Sequence, residues 1–263
     1  MTRSRREPPP FRTLAVSRVE NLSPRMVRVT LGGDGLDGLA PDLPAASVRL
    51  LLPSPGTDEL VLPAWNGNEF LLPGGGRPVI RTFTPRHVRT LGPEHELDLD
   101  IVVHGGGVAS DWAASARPGA RGAVSGPGRG YAVDASAPAY LLAGDESALP
   151  AISQLLESLP PTTPTQVLVE VAGPDARLPL PTGSAVTVTW CERTPGAAPG
   201  EALMPAVRET DLPPGTRVWA AGEAAAVQRI RRHLFQDRGL PRAQASVRGY
   251  WKHGRSGDAD DDV

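Results

Sequence analysis

Ala139-Tyr140-Leu141-Leu142-Ala143-Gly144-Asp145-Glu146-Ser147-Ala148-Leu149-Pro150 is an apolar run that breaks at a glycine and resumes with a helical period. The run reads as a strand. Beyond it Leu149, Ile152, Leu155, Leu156 and Leu159 fall on one helical face, which predicts a helix over Glu146–Leu159. Asp145 or Ser147 caps that helix and Pro150 is tolerable only in its first turn, so the helix should begin at about Asp145. A strand that turns through glycine into a helix is the unit of a parallel sheet, and such turns receive pyrophosphates.

C-terminal to this unit the alternation continues. Strands are expected at Gln166–Ala172, Ala185–Trp190 and Ser246–Trp251, and Trp219-Ala220-Ala221-Gly222-Glu223 repeats the strand-glycine-helix logic. The helix that follows, Glu223–Asp237, turns Val227, Ile230 and Leu234 inward and Arg229, Arg231 and Arg232 outward as a solvated face. It stops at Gly239 with Pro241 beyond.

Before Pro127 the texture differs, with short β-rich runs split by turn signals: Phe11–Val19, Met26–Leu31, Ser47–Pro53, Leu60–Leu62, Val79–Thr84, Leu97–His104 and Arg121–Ser125. In Leu97–His104 the apolar Leu97, Leu99, Ile101 and Val103 alternate with Asp98, Asp100 and Val102, the period of a strand with one buried face. Such spacing predicts a small antiparallel β-barrel. A two-domain β + α/β chain follows, with the barrel at 11–130, the parallel-sheet domain at 136–254, and disordered tails at 1–10 and 255–263. The 29 Gly and 29 Pro among 263 residues exclude a bundle of long helices, while 40% hydrophobic content excludes wholesale disorder.

The net charge of −2 gives no support to binding nucleic acid or a membrane surface. No apolar run approaches the roughly 20 residues of a spanning helix. The single Cys191 and five unclustered histidines exclude a cysteine-cluster metal site and HExxH spacing, and G-x-S-x-G is missing, so no metal centre or serine hydrolase is expected. With no apolar stretch after Arg5 and Arg6 to make a signal, a cytoplasmic monomer is expected. Lys252 is the single lysine among 27 basic residues.

Chemistry concentrates in further segments. Arg81-Thr82-Phe83-Thr84-Pro85-Arg86 ends a barrel strand with cations, hydroxyls and a ring that suit a flavin and its pyrophosphate. Arg81 can pair with phosphate, Phe83 can cover a ring or ribose, and Thr84 can hydrogen-bond near the flavin N5 edge. His104-Gly105-Gly106-Gly107-Val108-Ala109-Ser110-Asp111-Trp112 runs from a strand through glycines into a helix at Ala109–Ala116, whose first N–H groups make an anion site. Ser110 there binds phosphate or caps the helix, His104 contacts flavin or ends the strand, and Trp112 packs in the core. After Trp190, Arg193 suits the 2′-phosphate of NADPH, whereas Glu192 suits the free ribose of NADH. Near the end, Arg248-Gly249-Tyr250-Trp251-Lys252-His253-Gly254 joins paired aromatics to three potential cations.

Taken in order, these segments resemble the siderophore-interacting proteins, FAD-dependent ferric-siderophore reductases with a ferredoxin reductase-like fold. Arg81–Arg86 resembles that family's R-x-[YF]-T-x-R motif, His104–Trp112 its H-G-x-x-x-x-A-S-x-W loop, Ala143–Pro150 its A-G-D-E-[ST]-A-L-P turn, and Gly249–Gly254 its G-Y-W-x-x-G ending. The glycine loop departs from the family, which carries an acidic residue and a proline there, and Ala45-Ala46-Ser47 replaces a basic or His position. The resemblance implies a FAD-binding barrel, an NAD(P)H-binding α/β domain, and electrons passing from NADPH or NADH through FAD to a ferric siderophore. It implies cofactor contacts at Arg81, Thr82, Phe83, Thr84, His104, Gly105, Gly107, Ala109, Ser110, Gly144, Asp145, Glu146, Ser147, Arg193, Gly222 and Glu223. Thr84, Tyr250 and Trp251 serve catalysis in that reading, and Arg248, Lys252 and His253 meet the anionic substrate. The alternatives are a flavin reductase serving a ferredoxin or flavodoxin partner, and a non-catalytic siderophore-binding protein.

Overall fold

The computed structural model describes residues 7–91, 94–181, 183 and 185–254, so the expected tails at 1–6 and 255–263 lie outside the described residues. The chain divides into units 1–131 and 132–263.

The first unit contains β1 (Arg12–Ser23), β2 (Met26–Gly32), β3 (Val48–Leu52), β4 (Ala64–Trp65), β5 (Phe70–Leu71), β6 (Val79–Phe83), β7 (Pro85–Leu91), β8 (Glu94–Val102), α1 (Val108–Ser115) and β9 (Arg121–Ser125). Seven strands form one antiparallel sheet in the order β6-β3-β9-β1-β2-β8-β7. Its two edge strands, β6 and β7, are joined by Thr84 alone. Strands lie about 4.8 Å apart, so one residue cannot bridge the width of a flat seven-stranded sheet. The sheet therefore curls until its edges approach, which is the barrel that the turn spacing predicts.

Along β8 the alternation holds: Leu97, Leu99 and Ile101 are buried in the barrel core with Val29, Leu31 and Leu50. Asp98 points to the opposite face, yet it is only 1% exposed. Its carboxylate accepts from Thr30 Oγ1 at 2.9 Å, from His87 Nδ1 at 3.1 Å and from both guanidinium nitrogens of Arg89. Beside it Arg28 pairs with Asp100 at 2.6 and 2.8 Å. The sheet's outer face is thus closed by ion pairs across three strands.

Two expectations for this unit are corrected. Leu60–Leu62 is not a strand; it has no ladder, and Val61 and Leu62 are exposed. Pairing falls instead on the hairpin β4–β5, where Trp65 packs edge-on against Phe70 and Phe11 joins from the other side. Strand β7 has no counterpart in the sequence reading, because it begins at a proline and alternates charge with apolar residues; an edge strand tolerates both.

The second unit contains β10 (Tyr140–Asp145), α2 (Leu149–Ser158), β11 (Thr165–Val171), β12 (Val186–Glu192), α3 (Leu203–Glu209), β13 (Arg217–Glu223), α4 (Ala224–Arg232) and β14 (Ala245–Trp251). All five strands are parallel in the order β12-β11-β10-β13-β14. Strand order reverses between β10 and β13, and the crevice at their carboxyl ends is the place where such sheets take ligands. Residues of α3, α4 and the turn that follows α4 cover one face of this sheet, burying Leu203, Val207, Val227, Ile230 and Leu234 against Leu141, Leu168, Val218 and Val247.

The first helix differs from expectation at its start. Asp145 caps a 3-10 turn over Glu146–Ala148, and the α-helix proper begins at Leu149 with Pro150 in its first turn. The second is α-helical only to Arg232 and ends in a π turn, His233–Asp237. Its arginines are not simply a solvated face. Arg229 donates to Pro199 O at 2.7 Å and Arg231 to Val247 O at 2.5 Å, so the two guanidinium groups tie α4 to neighbouring backbone.

Candidate functional site

On β6, Arg81 lies opposite Leu50 and Phe83 opposite Val48, so these two side chains share the sheet's core face while Thr82 takes the other. Phe83 packs against the barrel core. Arg81 donates to Ile80 O at 2.7 Å, which bends the guanidinium back along its own strand. Thr84 is 6% exposed at the β6–β7 corner. A cation, a ring and a sheltered hydroxyl thus fall within four residues, 81–84, where the sheet closes.

From β8 the chain passes His104 into the glycine loop. Gly105 (φ +61°) and Gly106 (φ +79°) adopt the left-handed conformation that side chains disfavour. At Gly107 a Cβ would stand 3.2 Å from Cε1 of the exposed His104 ring, a tight approach that a small shift of the imidazole relieves. Ser110 is buried, and its hydroxyl accepts from His104 N–H at 3.1 Å. It therefore holds the loop closed rather than capping the helix. Ala109 and Trp112 pack on the barrel core. The helix has no side-chain cap, and its first N–H groups have no acceptor four residues back within the helix. Asp111 Oδ2 accepts from Gly107 N–H at 3.4 Å, and the remaining first N–H groups of α1, like the arginines of β6–β7 elsewhere in the same unit, are donors of the kind that suits the phosphates of a flavin nucleotide. At the departure from the family pattern, Ala45 and Ala46 are both buried.

The crevice between β10 and β13 is filled by the protein's own carboxylates. Asp145 Oδ1 accepts from Ser147 N at 2.9 Å and Ser147 Oγ at 2.5 Å; Oδ2 accepts from Glu223 N and Trp251 Nε1, each at 2.8 Å. Burial pushes the Asp145 carboxyl above the usual range, against the hydrogen bonds of Ser147, Trp251 and Glu223, which favour its charged form. Glu146 accepts from Ala172 N at 2.7 Å, and Glu223 caps α4 through Ala226 N at 2.8 Å. Gly144 permits close packing, since a Cβ there would stand 2.5 Å from Ala148 Cβ and 2.6 Å from Ala221 O. The space left among Asp145, Glu170 and Glu223 is about 10 Å³, scarcely one water.

Glu170 is a residue that the sequence reading missed. It is 3% exposed and accepts from Gly200 N at 2.8 Å, Ala202 N at 3.0 Å and Leu203 N at 3.1 Å. A lone acid inside the apolar strand Thr165–Val171 was its signal, but its partners lie some thirty residues downstream. Nearby, burial and then the Glu170 charge push the Cys191 thiol up to about 11, so it stays protonated and unreactive.

At the end of β12, Glu192 is ion-paired with Arg177, a second residue not anticipated, while Arg193 N–H donates to Val171 O at 2.9 Å. At the C-terminus a bulge separates the ladder pairs Gly222–Gly249 and Glu223–Trp251, and Tyr250 is the residue left out. Tyr250 packs edge-on to Trp219, with ring centroids 6.3 Å apart. Arg248 and Lys252 are partly exposed and His253 is exposed. Among the described residues no cluster of His, Cys, Asp or Glu could hold a metal, and no helix is long and apolar enough to cross a membrane.

Comparison with known proteins places these features in a family context. Residues 15–131 match the siderophore-interacting FAD-binding domain, and residues 137–254 match the siderophore-interacting protein model. A siderophore utilization protein from T. fusca superposes with a TM-score of 0.83 at 39% identity, covering 95% of this chain and 96% of that one. The ferric vibriobactin reductase of Vibrio cholerae is 30% identical over 94% of this chain and 92% of its own. The NADPH-dependent ferric-chelate reductase of Escherichia coli is 39% identical over 150 residues, 57% of each chain.

Proposed function

The chain belongs to the siderophore-interacting protein family, and from that premise we propose that it is an FAD-dependent reductase that passes electrons from NAD(P)H to a ferric siderophore and releases ferrous iron. The observation that carries this reading is the first unit's donor set: the glycine loop opening into the uncapped α1, together with Arg81, Thr82, Phe83, Thr84 and Arg86 at the β6–β7 corner. It is supported by relatives named as ferric vibriobactin and ferric-chelate reductases. A nicotinamide donor places the reaction in the cytoplasm.

Bound flavin supplies the conversion of a two-electron donation into single-electron transfers. The protein's part is to hold and shield. Arg81 and the first N–H groups of α1 neutralise phosphate charge, and Phe83 covers an apolar ring. Thr84, sheltered from water, offers a hydroxyl whose direction its corner position fixes. The substrate needs no protein ligand to iron, because the siderophore already fills the coordination sphere. An anionic chelate is attracted by Arg248, Lys252 and His253, with Tyr250 and Trp251 beside them. Arg193 and Arg177 flank Glu192, whose charge Arg177 neutralises; this favours the 2′-phosphate of NADPH.

One observation favours a second electron donor. The turns expected to receive a dinucleotide pyrophosphate have N–H groups of Ser147, Glu223 and Ala226 on Asp145 and Glu223 instead, as a protein donor such as a ferredoxin would allow. Anaerobic mixing of the yellow protein with NADH, NADPH or reduced ferredoxin, followed by a panel of ferric chelates, decides. Bleaching by NADPH and then ferrous release is expected; bleaching by ferredoxin alone selects the second donor, and a colourless protein defeats the reductase reading. Lys252→Ala with Arg248→Ala should weaken reduction of anionic chelates while flavin content is retained. Unchanged kinetics would remove both residues from the substrate site.

A further inference from the structure

The C-terminal segment that carries the proposed substrate contacts sits at the end of β14, an edge strand of the sheet. Strand alternation normally fixes where each side chain points, but the bulge at Tyr250 interrupts it one residue before Trp251. Trp251 rejoins the ladder opposite Glu223. Its indole is held there by a hydrogen bond from Nε1–H to Asp145 Oδ2 at 2.8 Å, beside the His253 ring at 6.3 Å between centroids.

Asp145 is built for this. Its carboxylate accepts four bonds, which use all its acceptor sites, and three of the donors are N–H groups that cannot reverse their role. They come from three elements: the turn after β10, the β13–α4 junction and β14. Gly222 makes room for the carboxylate, since a Cβ there would stand 2.6 Å from Asp145 Oδ2. Glu223, placed by the same bond network, continues it outward by accepting from His253 N at 3.3 Å.

We propose that Asp145 is a positioning residue for substrate binding: through Trp251 directly, and through Glu223 to His253, it fixes the aromatic and basic segment Tyr250–His253 in the orientation that meets the ferric siderophore. The inference rests on the reductase reading above. It also gives the conspicuous acid of the strand-glycine-helix turn a role distinct from binding a nucleotide.

Asp145→Asn keeps the shape but puts an amide donor against N–H donors whichever way it turns. Trp251→Phe deletes the indole donor, together with part of the ring area, and leaves the carboxylate its other three donors. In full-length, flavin-loaded protein, the indole N–H resonances are recorded with 15N-labelled tryptophan, Trp251 being assigned by its loss in Trp251→Phe. KM and kcat are measured with a ferric tris-catecholate. In Asp145→Asn the Trp251 resonance should move, and KM should rise about tenfold with kcat within about twofold, as loss of one hydrogen bond to a charged group implies. Adding Asp145→Asn to Trp251→Phe should raise KM by less than Asp145→Asn does alone, because the Trp251 contact is already gone and only the route through Glu223 to His253 remains.

An unmoved indole resonance, an unchanged KM in Asp145→Asn, or additive effects in the double variant overturn the proposal. If Asp145→Asn does not fold, Trp251→Phe alone decides, with an unchanged KM counting against it. Wild-type protein that reduces no ferric siderophore refutes the underlying reading instead, which separates the two failures.

Discussion

Asp98 is the place in the barrel where a charge is most completely committed, and its protonation has a calculable consequence. Burial works to raise its pKa, but the hydrogen bonds from Arg89, Thr30 and His87 outweigh burial and hold it down to about 2, from 3.8. The difference, 3.8 − 2, is about 1.8 units, or about 2.4 kcal/mol at 1.36 kcal/mol per unit. The folded-state pKa is depressed, so this stability is present above the unfolded value near 4 and is lost as pH falls through about 2. Replacing Asp98 by Asn removes the titration and leaves Arg89 with Glu96, at 2.7 Å, as its remaining carboxylate. The assay is urea unfolding from pH 7 to 2.5, read by amide exchange of β2 and β8 so that the barrel's own transition is followed. Wild type should exceed Asp98→Asn by about 2–4 kcal/mol at pH 7, and the gap should narrow by about 1.6 kcal/mol by pH 2.5. All other carboxylates cancel in the difference. A gap that stays constant across this range would show that Asp98 is not charged and paired as the structure has it.

Arg81→Ala should lower the flavin content of purified protein while leaving the fold intact, measured by the ratio of visible to ultraviolet absorbance with circular dichroism as control; full flavin loading would exclude Arg81 from the phosphate site. Glu170→Gln leaves at least one of three backbone N–H groups facing an amide donor, so the second unit should lose about 1–3 kcal/mol in urea unfolding. No loss would mean that those groups find other acceptors.

The architecture was legible because it follows from periods that the chain itself carries. Alternation in Leu97–Ile101 placed β8 and its buried face, and apolar runs broken by Gly144 and Gly222 announced strand-to-helix turns of a parallel sheet. The edge strand β7 was not legible: a proline start and alternating charges look like a loop until β8 supplies its hydrogen bonds. Leu60–Leu62 failed for the opposite reason, since three β-prone residues with no neighbouring strand have nothing to pair with.

At the candidate site, residue types were readable and their engagements were not. Spacing singled out Asp145, Ser147, Gly222, Glu223 and Trp251, but nothing local reveals that one carboxylate gathers donors from residues 147, 223 and 251. The sequence by itself determined the change of texture and most of the strands and strand-to-helix turns, though not β7, the β4–β5 hairpin or α3, because periodicity and glycine placement are local properties. Only the tertiary structure decided that the acids of the parallel sheet's crevice are spent on the protein's own N–H groups, and that one of them receives the indole N–H of Trp251. Buried polar groups must find partners wherever the fold brings them, and those distances are set by sheet order rather than by position along the chain.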